Sequence, residues 1–134
     1  MKMLCTLRVV GHDLGRSAIA QVVEPNYSFR LDRAGEDFSD CFYFEVAEAD
    51  VKGDLHDGIV EFLVWNQAAL LELKSNPKIR LRKLDIGLIV DEQQMSASFD
   101  LSEELITKVR ELGLTATVAF HKSAPEIDQP AAET

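Results

Sequence analysis

An α+β fold is predicted for this chain by three observations. Strand and helix periodicities both recur along it, each periodic segment carries its apolar residues on one side, and the last third reads strand, helix, strand with every boundary marked. The expected architecture is an antiparallel sheet with helices on one face. Its core is ferredoxin-like (split βαβ), with an added N-terminal strand and helix at one sheet edge. At 134 residues and 15.0 kDa there is room for one domain, which at this size buries roughly two-thirds of the surface its unfolded chain exposes. Residues 1–122 are expected to form it. Residues 123–134 hold two prolines, three alanines, three acids and no base, the composition of a disordered acidic tail.

The elements follow in order. Over 3–10, Cys5, Leu7 and Val9 alternate with Leu4, Thr6 and Arg8, and Gly11 stops the strand. A short helix over 13–23 takes Asp13 as its cap and Leu14, Ala18, Ile19, Val22 and Val23 as its apolar stripe. Glu24-Pro25 ends it, because proline disfavours helical geometry in the residue before it. Residues 27–31 read as a short strand and 32–36 as a turn. A strand over 41–47 places Phe42, Phe44 and Val46 on one face. The longest helix spans 54–75, capped by Asp54, with Ile59, Phe62, Leu63, Leu70 and Leu73 on its main apolar face. Val60, Val64 and Leu71 make a second stripe that one sheet cannot also bury, so the first helix or a second subunit is expected to cover it.

Asn76-Pro77 breaks that helix, and a long strand follows over 79–90, then a polar turn and a short strand over 95–99. Ser102 caps the next helix, Glu103 and Glu104 suit its positive end, and Leu105, Ile106, Val109 and Leu112 form its apolar face. Gly113 stands where a left-handed C-terminal cap is wanted. Leu114, Ala116, Val118 and Phe120 then alternate with Thr115, Thr117, Ala119 and His121 in the last strand.

Taken together, LRVVGHDL, the AGE turn, the long apolar helix, LDIGLIV and SFDLSEELITKVRELGLTATVAF, spread over residues 3–121, resemble small uncharacterised bacterial α+β proteins grouped as a domain of unknown function. Some members of such families are suspected immunity proteins, which neutralise a toxin from the same locus. The resemblance implies that kind of role and carries over no catalytic residue.

Charge narrows the partners. With 23 acids against 14 bases the net charge is −9, and an acidic surface repels phosphate backbones and anionic lipids. No nucleic-acid or membrane partner is expected, whereas a basic protein partner fits. Cys5 and Cys41 lie in separate apolar segments without C-x-x-C spacing, as small buried hydrophobes do in a reducing compartment. Arg8, His12, Asp13 and Arg16 interrupt the only stretch resembling a leader, so a cytoplasmic location is expected.

Each candidate site has a structural reading beside it. His12-Asp13 with His56 and His121 is the set suited to acid/base work, yet the spacing matches no helical ligand pair and no metal is expected. Glu36, Asp37, Asp40, Glu45, Glu48, Asp50, Asp54 and Asp57 are interrupted by a single base, Lys52, and form a docking surface for a cation-rich partner or a solvated face. Asp54 to Gly58 lacks the alternating oxygen ligands of a calcium loop. Arg80 and Arg82 share one strand face and make either a clamp for a carboxylate or phosphate, or charge protecting a sheet edge. Trp65, on the flank of the long helix, suits an interface anchor or a core margin. No G-x-S-x-G, G-x-G-x-x-G or P-loop is present, so no catalytic residue and no cofactor are assigned. The leading expectation is a non-catalytic protein-binding module. The alternatives are a small-ligand sensor or enzyme with a pocket between sheet and helices, and a structural homodimer joined through the long helix.

Overall fold

The computed structural model describes residues 2–12, 27–31, 39–90 and 98–122. The helix expected over 13–23, the turn over 32–36, most of the strand over 95–99 and the tail over 123–134 lie outside them. The described residues form an α+β fold with a five-stranded mixed sheet.

A strand with one face against a core alternates in burial, and Lys2–His12 (β1) does so along its length. Met3, Cys5, Leu7 and Val9 are fully buried, while Leu4, Thr6 and Arg8 on the other face are half-buried. Ile79–Val90 (β4) behaves alike, with Leu84, Ile86, Leu88 and Val90 inside and Asp85, Gly87 and Ile89 half-buried. Tyr27–Leu31 (β2), Ser39–Ala49 (β3) and Thr115–Lys122 (β5) complete the sheet, in the order β2-β3-β1-β4-β5.

Two expectations are corrected by this order. The N-terminal strand is not an edge addition: β1 is the middle strand, paired antiparallel with β3 on one side and β4 on the other. Nor is the sheet antiparallel throughout, because β4 and β5 pair in parallel, Leu84 beside Ala116 and Leu88 beside Phe120. Parallel neighbours require a crossover, and Glu103–Glu111 (α3) supplies it. β3 and β4, both antiparallel to β1, run parallel to one another with β1 in the gap between them. The first βαβ unit is therefore split around β1, and the second closes on itself.

The long helix is also modified. It begins at Lys52, with Val51 in an extended conformation and no side-chain cap, so Asp54 lies in the first turn instead of capping it. At Asn66 it divides into Lys52–Trp65 (α1) and Gln67–Lys74 (α2). The Asn66 backbone N–H and side-chain Nδ2 both donate to the Phe62 carbonyl, at 3.0 and 2.9 Å. A side chain competing for the helical ladder is a recognised cause of such a break. Leu55, Ile59, Leu63, Leu70 and Leu73 point from α1 and α2 into one core with the inward residues of β1, β3 and β4 and with Leu105 and Leu112 from the α3 side.

A bulge sets how closely α1 approaches the sheet. Cys5 pairs with Ala47 and Thr6 with Glu45, which leaves Val46 as the extra residue of β3. The expected face Phe42, Phe44, Val46 is thus interrupted, and beyond the bulge Ala47 and Ala49 stand opposite Cys5 and Met3. Ala47 is small enough to meet Gly58 of α1 directly: a Cβ on Gly58 would stand 2.9 Å from the Ala47 Cβ. Alanine is preferred to glycine in a helix by about 1 kcal/mol, but forcing a methyl into a filled contact costs about 1–3 kcal/mol. Gly58→Ala is expected to lower the Tm followed by circular dichroism, and Ala47→Gly in the same chain to recover part of that loss. Purely additive losses would mean that the two residues do not limit the approach.

Candidate functional site

The face of the sheet away from the described helices carries a connected polar group. Thr6, Arg8, Lys83, Asp85 and Thr117 fall on it by alternation, across β1, β4 and β5. Asp85 is the hub. Its Oδ1 accepts a hydrogen bond from Thr117 Oγ1 at 3.0 Å and lies 3.9 Å from Lys83 Nζ. Its Oδ2 lies 3.4 Å from Arg8 Nε, an ion pair without an aligned hydrogen bond, and that buried Nε has no hydrogen-bond acceptor. Next to this group, Gly87 leaves a dip between Leu4 and His121; a Cβ there would touch both at about 4 Å. The resulting depression has a volume of about 280 Å3, with Thr6, Tyr43, Asp85 and Thr117 among its walls.

Inward side chains of α1 and α2 belong to one core cluster with those of the sheet. A groove of about 420 Å3 opens between α3 and the edge strand β5, lined by Leu101, Ile106, Val109, Leu114 and Ala116, with Arg110 the one charged residue among its described lining.

The residues singled out from sequence are dispersed. His12 ends β1 exposed, its backbone N–H donating to the Lys78 carbonyl at 2.9 Å. His121 borders the open-face depression, and His56 lies between α1 and α3. The three histidines are not brought together, and among the described residues no group of three or more potential ligands is placed to hold a metal ion. Asp13, Glu36 and Asp37 lie outside the described residues. Arg80 is exposed and has no counterpart on β1, because the register shifts there, and Arg82 Nε donates to the Gly113 carbonyl at 3.2 Å. Arg82 thereby holds the turn where Gly113, at φ +69°, reverses the chain into β5. Trp65 is 81% exposed, Val64 49% and Leu71 41%.

One arrangement escaped sequence reasoning because it joins residues far apart in the chain. His56 Nε2 is 2.7 Å from Ser102 Oγ, and His56 Nδ1 is 3.1 Å from Asp57 Oδ1. Serine, histidine and carboxylate in series have the connectivity of a hydrolytic triad. Two facts make it a structural tie instead. Ser102 Oγ already accepts the Leu105 N–H as the cap of α3, and the Asp57 side chain is 83% exposed, so solvent weakens its hold on the imidazole.

Both cysteines are buried and free. Burial, with a smaller contribution from Asp85, pushes the Cys5 thiol up from 9.0 to about 12. At neutral pH it is protonated and inert as a nucleophile. At the surface, Lys2 Nζ meets Glu48 Oε2 at 2.8 Å, and that contact raises the Lys2 pKa. No described helix is long and apolar enough to cross a membrane.

These features define an α+β protein with a mixed five-stranded sheet and a connected polar group on the sheet face away from the described helices. No protein-family model matches the chain, nor does any curated protein or solved structure.

Ser102→Ala is expected to destabilise the fold by about 1–2 kcal/mol in urea unfolding, by loss of the cap. His56→Ala should add little in that background if the two act as one tie, and full additivity would refute the coupling. For Cys5, the thiol is protonated in folded and unfolded chains alike below pH 9. Above pH 9 only the unfolded chain releases the proton, so stability falls as pH rises from 9 toward about 12. Iodoacetamide at pH 8 should leave Cys5 unmodified in the native protein while labelling it fully in urea, as read by mass spectrometry.

Proposed function

We propose that this chain is a non-catalytic, cytoplasmic protein-binding module whose contact surface is the outer face of α1 and α2. The single observation that carries the reading is the sequence of exposed residues along that face. Asp54, Asp57 and Glu61 come first, followed by Val64, Trp65, Ala68 and Leu71. Positions 54, 57, 61, 64, 68 and 71 are spaced by three and four residues, with Trp65 adjoining Val64, and form a helical stripe, acidic at its beginning and apolar where the helix divides at Asn66. An exposed tryptophan adjoining an exposed valine, with an exposed leucine further along the same stretch, is the composition of an energetic anchor. The neighbouring acids steer and orient a basic partner. A role of the immunity type, in which a basic toxin from the same locus is the partner, is the specific form of this reading that the family resemblance supports.

The test is affinity capture with the immobilised protein at low and at high salt. A basic protein retained at low salt should be released as salt rises, because the attraction between exposed charges is screened. Trp65→Ala should weaken retention at least about tenfold, and Asp57→Lys with Glu61→Lys should weaken it at low salt while leaving thermal stability nearly unchanged. Capture of nothing at low salt, or undiminished capture by these variants, would refute the proposal.

A further inference from the structure

We propose that two copies of this chain join edge to edge through β5, in antiparallel register about a two-fold axis at Val118. The proposal concerns a different surface from the α1–α2 stripe and stands independently of it. β5 is the outermost strand of the described sheet on its side, eight residues long and without proline. Such an edge presents unpaired backbone donors and acceptors, and edge strands that remain solitary usually carry proline, a bulge or inward-pointing charge. β5 has no proline, and its helix side holds no charge before Lys122 at its last position; within it Val118 is 40% exposed and Phe120 39% exposed.

The occupant follows from self-complementarity. In antiparallel pairing, directly opposed residues share a sheet face. Centring the pair on Val118 sets Val118 against its own copy and Phe120 against Ala116 of the second copy. Ala116 lines the groove of about 420 Å3 between α3 and β5. The largest exposed side chain of the strand is thereby directed at the smallest residue of that groove, twice, as two-fold symmetry requires. Ile106, 41% exposed on α3, borders the same groove. Charge agrees as well. The chain is net −9, so most of its surfaces repel their own copies, whereas Thr115–Lys122 contains no acid. In this register Lys122 stands against Leu114 and His121 against Thr115, so no charge meets its like.

Sedimentation equilibrium of the full chain over a range of concentrations is the primary measurement. A reversible dimer is expected. Val118→Lys, which puts two ammonium groups face to face on the axis, should raise its dissociation constant by about tenfold or more. Trp65→Ala should leave the dimer intact. Because a charged edge can also impair folding, a second variant works in the opposite direction. Val118→Cys should oxidise to a covalent dimer, while Thr117→Cys, which faces Ala119, should not; Cys5 and Cys41 are buried and do not compete. A strict monomer at the highest concentration would overturn the proposal. So would equal cross-linking at positions 117 and 118, or dissociation by Trp65→Ala with Val118→Lys still dimeric. A monomer that binds extended apolar peptides along β5 would overturn it in favour of strand addition by a different protein.

Discussion

The structure depends on the insertion of β1 between β3 and β4. A central strand has both rows of backbone groups paired, and four of its side chains, Met3, Cys5, Leu7 and Val9, are fully buried under the helices. That placement sorts residues between the two faces across the sheet. Odd positions of β1 join the core, and even positions bring Thr6 and Arg8 beside Asp85 and Lys83 on the open face. A slip of one residue would exchange the two sets and bury a guanidinium. The charge pairing on the open face and the apolar pairing beneath it therefore specify the same register from opposite sides.

The two irregularities along β1 shape what lies on either side of it. Where Val46 bulges out of β3, the small residue Ala47 comes under Gly58, and α1 settles against the sheet. Where the register shifts between Val10 and Gly11, Arg80 loses its counterpart and Arg82 remains in line with Val9. Arg82 then reaches the turn at Gly113 and fastens the start of β5. Helix placement and edge-strand placement thus both trace to single-residue departures from regular pairing.

Much of the element structure was legible in the sequence, because local signals and tertiary burial agree. The strand expected over 79–90 is β4 from end to end, and Ser102 with Gly113 bounds α3 as its chemistry requires. Strand order was not legible. The apolar alternation of β1 says that one face is buried, but not which strands flank it, and an edge position satisfies the same pattern as a central one. The open-face group was hidden for a related reason. Thr6, Arg8, Lys83 and Asp85 look like the solvated half of two alternating strands until register sets them side by side. Arg80 and Arg82 illustrate the converse, since spacing alone treats them alike while the register shift leaves Arg80 unpaired and Arg82 in line with Val9. Where the helix divides, the Asn66 side-chain amide joins its backbone N–H on the Phe62 carbonyl, a contact that helix periodicity does not record.

The central position of β1 also orders events in time. On a ribosome this strand leaves the exit tunnel before either of the strands that enclose it, and it cannot complete its pairing until β4 has emerged. Until then β1 can pair only on its β3 side, and the sheet closes late around a strand made before both of its neighbours. Closure of that kind joins distant parts of the chain, which slows folding, and the waiting segment is the sort of exposed surface that chaperones shield.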